Sequence, residues 1–574
     1  MKLRSASYVT RYKKDMKLKT FRLIFVGINL LFCFTLSNLY AQDSGDEPSF
    51  SRQDSLRGSI TPERAWWDLT YYHLDVAVDI ADSALSGSNT IRYRVLEPHS
   101  VMQIDLQQPL DISSITQNGK SLTFRREGSA FFVTLKDAQE RGDLNELTVR
   151  YSGHPTVAVR PPWDGGITWQ TDSNGNPFVA TANQGIGSSV WWPNKDHPYD
   201  EPDSMLISVT VPDSLMDVSN GRLRGVEEHD NGTKTWHWFV SNPINNYGVN
   251  INIGDYVHFG EEYDGEKGTL TLDYYVLREN EELAREQFKQ VKPMMDAFEY
   301  WFGPYPFYED GYKLVEVPYL GMEHQSSVTY GNQYQNGYLG RDLSGSGWGL
   351  KFDFIIIHET GHEWFANNLT NSDVADMWLH EGFTNYSESL YLDYHYGEQA
   401  ANEYVRGLRL GIQNNRPIVG EYGVNYRGSG DMYNKGGNLL HTIRQIAESD
   451  SLWRQTLRGL NRDFYHETVS TAEVEAYISE KLGQDLGRVF DQYLRDTRIP
   501  TLEYAFREGR LQYSWGNAVE GFDMPVDVTI NGKPMRLHPD TGWKSKELDP
   551  ADSYELIVDP DYYVGSFNLL GESK

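Results

Sequence analysis

Ile355-Ile356-Ile357-His358-Glu359-Thr360-Gly361-His362 sets two histidines four positions apart behind three isoleucines. On a helix, residues i and i+4 stand one above the other with Cβ atoms roughly 5–6 Å apart. One imidazole nitrogen from each can then approach a single zinc ion at about 2.0–2.1 Å. The isoleucines give the segment the apolar surroundings of a buried element, which hold the histidine rotamers and keep water out. Glu359 comes one position after the first histidine, projects at a different angle and can serve a water rather than the metal. A third ligand must come from elsewhere, and Trp378-Leu379-His380-Glu381-Gly382-Phe383 supplies Glu381 on a second helical stretch. Two histidines and one glutamate leave the fourth position of a tetrahedral zinc open, as a catalytic site requires. The expectation is one Zn(2+) per chain on His358, His362 and Glu381, with Glu359 taking the proton of an attacking water.

The rest of the chain supplies the frame for this site. At 574 residues it is too long for one hydrophobic core, and about three domains are expected. Apolar residues at 39% and aromatics at 13% place it in the globular class. A formal charge of −29 argues against a nucleic-acid partner, whose phosphates require Lys and Arg. Lys17, Lys19 and Arg22 precede an apolar run from Leu23 to Leu36, and Leu39-Tyr40-Ala41 is a small-residue cleavage site. Residues 1–41 therefore read as a signal peptide, too short in its apolar part for a membrane span, and the chain as exported, periplasmic or extracellular. The only cysteine, Cys33, falls inside that signal. The exported part has no disulfide to lean on and must rest on large cores.

Residues 42–57 are polar and Ser/Asp-rich and read as a linker. From Tyr72 the apolar residues alternate (Tyr72, Leu74, Val76, Val78, Ile80, then Ile91, Tyr93, Val95), the pattern of half-buried strands. Similar stretches run to Thr269–Val276, broken by turn signals such as Asn118-Gly119 and Asn231-Gly232. Residues 58–276 are read as one all-β domain. The period then turns helical, with helices expected over 281–301 (kinked by Pro293), 353–367, 376–393, 433–447 and 472–482. The last of these opens on Ser470-Thr471-Ala472-Glu473, a capping-box spacing. Alternation returns at Leu502, Tyr504 and Phe506. The fold class is thus multidomain α+β: the β domain, a mostly helical catalytic domain over 277–498, and a small C-terminal β-sandwich over 499–574.

With these residues in hand, the sequence resembles the zinc aminopeptidases of the aminopeptidase N and leukotriene hydrolase type, a gluzincin family, over most of its length. His358, Glu359, His362 and Glu381 match the family's His-Glu-x-x-His, eighteen residues, Glu pattern, although His380 stands where the family has Asn. Leu320-Gly321-Met322-Glu323-His324 resembles its Gly-x-Met-Glu-Asn segment, departing at Leu320 and His324. Tyr433-Asn434-Lys435-Gly436 matches a later helix start, and Gln184, nine residues before Pro193, a glutamine of the β domain. The resemblance implies a thermolysin-like catalytic domain and a metallo-aminopeptidase, a hydrolase acting on peptides with a free N-terminus. By the same resemblance Glu323 and Gln184 grip the substrate α-amino group, Gly321 and Met322 bind beside it, and Tyr433 stabilises the oxyanion.

Overall fold

The computed structural model describes residues 49–447 and 449–570. The signal read at 1–41, and Cys33 within it, lies outside the described residues. So does the first part of the supposed linker 42–57, but its second part is no linker. Arg52–Gly58 is a helix. Leu56 packs against Ala130 and Phe132, its carbonyl accepts a hydrogen bond from Gln103 Nε2 at 3.1 Å, and Arg57 donates to the Gly185 carbonyl at 2.8 Å. Every one of these partners is distant in sequence, which is why the polar composition of the segment gave no sign of them.

The alternating stretch forms the strands it predicts. Trp67–Asp79 pairs antiparallel with Ala84–Val95, with Tyr72, Leu74, Val76 and Val78 buried on one face. An eight-stranded sheet grows from this pair, and Ser204–Pro212 joins it parallel to Trp67–Asp79. A four-stranded and a three-stranded sheet complete the β domain. Their inner faces share one core that includes Trp67, Trp191, Trp192 and Trp238, so the Trp191-Trp192 pair is packing. Burying each such side chain contributes about 1.5–3 kcal/mol.

Strand pairing crosses the boundary expected at 276. Tyr256–Gly265 and Gly268–Leu277 form a hairpin, and its second strand pairs in parallel with Tyr312–Glu316. That strand pairs with Val328–Tyr330, which in turn carries Gly321–Met322 as the edge strand. The hairpin is therefore the start of the catalytic sheet. Alternation marks a strand but is silent about which sheet receives it.

Helices pack on this sheet. The one expected over 281–301 is two, Glu281–Gln287 and Val291–Phe302, separated by a 3₁₀ turn. Pro293 sits in the first turn of the second, where a missing N–H costs nothing. Phe354–Gly361 carries His358, and Asp353 caps it by accepting from the Ile355 and Ile356 amides at 3.1 and 3.4 Å. The α-helix expected to 367 ends at Gly361. The chain continues as a π-turn over Glu363–Asn368, with Phe365 and Ala366 outside helical backbone angles. Trp378–Tyr396 carries Glu381, and Asn434–Ile446 follows Tyr433. Thr471–Leu482 begins with the full capping box of Ser470 and Glu473.

The C-terminal strands form two small sheets, Thr501–Arg507 and Arg510–Gly516 central to one and Val526–Ile530 to the other. Leu502, Leu511, Trp515, Phe522 and Val526 join the same hydrophobic core as the catalytic helices. The sandwich thus shares its interior with its neighbour, as a unit of its size requires. Among the described residues no helix is long and apolar enough to cross a membrane.

Candidate active site

The helices Phe354–Gly361 and Trp378–Tyr396 face each other and bring His358, His362 and Glu381 together, all three buried. Glu381 Oε2 lies 3.8 Å from His358 Nε2 and 3.4 Å from His362 Nε2. The other ring nitrogens fix the tautomers. His362 Nδ1 lies 3.1 Å from the Phe365 carbonyl, which can only accept, so Nδ1 carries the proton. The break in the helix after Gly361 is what turns that carbonyl onto the ring. His358 Nδ1 lies 2.8 Å from the Glu388 carboxylate and donates to it. Both Nε2 lone pairs therefore converge on a carboxylate oxygen, with no donor between them. A buried cluster made of acceptors alone calls for a cation, and two imidazoles with one carboxylate are the donor set of an open zinc site.

Glu323, Glu359 and His362 form an overlapping cluster. The charges separate the two. Burial opposes ionisation of Glu381, but positive charge on the His362 and His358 side outweighs it and holds its carboxyl well below the usual range, a charge that a bound cation would supply where the two rings are neutral. Burial, reinforced by the Glu323 charge, pushes Glu359 up to about 7. The carboxylate that stays ionised is suited to ligation, and the one poised near neutrality is suited to moving a proton.

The remaining residues singled out in the sequence gather around this pair of clusters. Gln184 reaches in from the β domain, and its Nε2 donates to Glu323 Oε1 and to Glu381 Oε1, each at 2.7 Å. Glu323 is 3% exposed. Gly321 packs directly over the His-bearing helix: a Cβ there would stand 2.7 Å from Ile355 Cγ2 and 3.3 Å from Glu359 Cγ. Met322 is buried with Ala180, Ala182, Val317 and Tyr319. The Tyr433 ring stacks on His358, centroids 6.1 Å apart and planes at 22°. Burial, then the Glu381 charge, raises its hydroxyl well above 10, so it remains a proton donor throughout the physiological range. Tyr433 reaches this position because two helices touch through glycine. A Cβ on Gly436 would lie 2.9 Å from Gly382 Cα.

Two family descriptions match the chain, the Peptidase M1 N-terminal domain over residues 69–247 and the Peptidase family M1 domain over 286–493. The chain belongs to peptidase family M1. Leukotriene A-4 hydrolase of Xenopus laevis is 23% identical over 445 residues, covering 73% of this chain and 68% of that protein. Aminopeptidase B of Mus musculus is 25% identical over 371 residues, covering 59% and 52%. This M1 chain thus spans about half the length of that aminopeptidase. In fold it is similar to a crystallised M1 zinc metallopeptidase mutant from Deinococcus radiodurans bound to a Tyr-Ser-Ala substrate. The TM-score is 0.63 at 22% identity, over 76% of this chain and 96% of that one.

Around the M1 motifs stand residues that the sequence reading passed over. Glu388 is one, with Tyr404 donating to its second oxygen at 2.5 Å. Glu388 lies seven positions after Glu381, two turns along the same helix face, a spacing that could have revealed it. Thr384, three positions after Glu381, places its Oγ1 3.1 Å from His362 Nδ1. Tyr404 comes from another element and carried no local signal. His324 and His380 are both buried neutral rings, each lowered to about 3 by burial. His324 Nδ1 meets Thr329 Oγ1 at 3.3 Å.

Proposed function

We propose that this M1 chain is an exported zinc aminopeptidase that removes the N-terminal residue of peptides. The observation that carries this reading is Glu323, a buried carboxylate fixed by Gln184 beside the His358–His362–Glu381 cluster. A buried carboxylate in a binding site is matched by a cation, and the cation a peptide offers there is its α-ammonium. Held by Glu323 and Gln184, with Gly321 and Met322 along the edge strand, the N-terminus sets the reacting carbonyl one residue in. His358, His362 and Glu381 hold the zinc ion, which when bound supplies Lewis acidity and lowers the pKa of water to about 7. Glu359 takes the proton of the attacking water and returns it to the leaving amine. Tyr433 donates its hydroxyl to the oxyanion that develops on the substrate, an interaction worth about 3–4 kcal/mol in comparable sites.

The Tyr-Ser-Ala peptide bound to the Deinococcus radiodurans relative and the aminopeptidase relatives support a peptide as substrate. The basic and apolar stretches before Ala41 support export to the periplasm or medium, with Gln42 as the mature N-terminus. The test is a peptide pair, one free and one N-acetylated, assayed with and without a chelator. Cleavage of the free peptide alone, lost on chelation, is expected. Equal cleavage of both would make the enzyme an endopeptidase and remove Glu323 from its role.

A further inference from the structure

Gln184 stands on a tight turn. The Ile186 amide donates back to the Gln184 carbonyl at 2.9 Å, and Gly185 between them has φ +76°. A three-residue turn of this hand is rare and strained, and such backbone persists only where its surroundings hold it. One side of the turn faces open space: Gln184, Gly185 and Gly187 line a cavity together with Arg57 and Asn425. Two side chains distant in sequence hold it. Gln107 Nε2 donates to the Ile186 carbonyl at 2.7 Å, and Arg57 Nη2 to the Gly185 carbonyl at 2.8 Å. The guanidinium lies against Gly187, where a Cβ would stand 2.5 Å from Nη2. Arg57 is itself fixed from behind. Its carbonyl accepts from Arg64 Nη1 at 3.0 Å, and Arg64 is fully buried with Nη2 2.6 Å from Asp105 Oδ2. Hydrogen bonds thus lead from the β domain through Arg57 to the peptide group beside Gln184, whose Nε2 meets Glu323 Oε1 and Glu381 Oε1 at 2.7 Å each.

We propose that Arg57 is a positioning residue for the substrate amine. Its charged donor on the Gly185 carbonyl sets the turn from which Gln184 extends to Glu323. Without that bond the turn relaxes toward the cavity and carries Gln184 with it. The amine then meets Glu323 with its second partner displaced. A small shift is enough, since misplacing a binding group by about 1 Å can cost about 10²-fold. Glu359 and Tyr433, which move the proton and meet the oxyanion, stand on other elements. Loss of Arg57 therefore weakens amine binding and spares the chemical step. The proposal rests on the reading that Glu323 and Gln184 bind the α-ammonium.

Arg57→Met keeps the apolar stem and removes the donors, and Arg57→Lys returns a charged donor on a flexible stem. On an aminoacyl substrate, Arg57→Met is expected to raise KM about 10-fold, the size of one hydrogen bond to a charged group, with kcat within about twofold. Arg57→Lys restores KM to within about threefold of the parent. In a Gln184→Ala background Arg57→Met adds less than about twofold, because the two residues act through one contact. A pair of competitive inhibitors reads the amine directly. The inhibition constant of an amino-acid hydroxamate rises about 10-fold in Arg57→Met, and that of its des-amino analogue stays within about twofold. Arg52→Ala removes an exposed ion pair with Glu127 from the same helix and leaves KM at the parent value. Zinc content and melting temperature of each variant exclude a general loss of structure. Unchanged KM in Arg57→Met, additive effects with Gln184→Ala, equal weakening of both inhibitors, or the same rise of KM in Arg52→Ala would overturn the role of Arg57. Gln184→Ala alone separates the underlying reading. If it leaves KM unchanged, the assignment of Gln184 to the amine fails, and the proposal with it. If it raises KM while Arg57→Met does not, only the proposal fails.

Discussion

Replacing Glu388 tests the site at a residue that touches neither the zinc nor the substrate. Glu388 is fully buried, accepts from His358 Nδ1 at 2.8 Å and from Tyr404 at 2.5 Å, and so holds the ring whose Nε2 faces Glu381. A hydrogen bond to a charged group contributes about 1.5–3 kcal/mol and a neutral one about 0.5–1.5 kcal/mol. Glu388→Gln keeps an acceptor for His358 but loses the charge, a difference of about 1 kcal/mol, or roughly fivefold in zinc affinity. Glu388→Ala loses the acceptor altogether, leaving the His358 N–H and the Tyr404 hydroxyl without this partner in the interior. The expected loss is about 2–2.7 kcal/mol, or roughly 30–100-fold, at the upper end of what partners of metal-binding histidines contribute. The assay is competition for zinc against a chelator of known affinity at fixed pH, with the melting temperature of the metal-free protein as a control for folding. A folded Glu388→Ala variant with zinc affinity within twofold of the parent would refute the argument that Glu388 fixes the His358 tautomer.

The other predictions concern the reacting groups, the pH response and the N-terminal helix. Glu359→Gln keeps its zinc, measured by metal analysis, and loses about 10²–10⁴-fold in kcat, the range of general acid–base catalysis. Tyr433→Phe lowers kcat more than it changes KM, because its donor acts on charge that forms only in the transition state; a change in KM alone would contradict this. Glu201, with Oε1 enclosed and unpartnered, is pushed up to about 8 by burial. The folded chain therefore keeps a proton between pH 4.5 and about 8 that the unfolded chain releases, and this residue's contribution to stability falls as pH rises through that window, by at most about 1.4 kcal/mol per unit. Glu201→Gln flattens that slope in denaturant unfolding series at pH 5 to 8. Gly58→Ala sets a Cβ 2.1 Å from the Val424 carbonyl carbon and 2.3 Å from the Asn425 nitrogen. It lowers the melting temperature by displacing either the helix Arg52–Gly58 or the loop that leads to Tyr433.

What the sequence determined by itself lay in local periodicity. The i, i+4 spacing of His358 and His362 gave the metal-binding face of a helix, alternation from Tyr72 gave strands, and Ser470-Thr471-Ala472-Glu473 gave a helix start, because each is written within one or two turns of chain. The helix end was missed at Gly361, since the break serves a bond from His362 to the Phe365 carbonyl that no propensity records. The pairing of the hairpin at 256–277 with Tyr312–Glu316 was not legible, and the helix at 52–58 was read as a linker, because strand partners and docking surfaces lie far away in sequence. Resemblance brought Glu323, Gln184 and Tyr433 to attention one by one. Only the tertiary structure set Gln184 between Glu323 and Glu381, joined Glu388 to His358, and led from Asn371 through His380 to Tyr247. Those contacts depend on elements that meet in space, such as the two helices that close up through Gly382 and Gly436, and a hydrogen bond is fixed by that meeting rather than by the residues it joins.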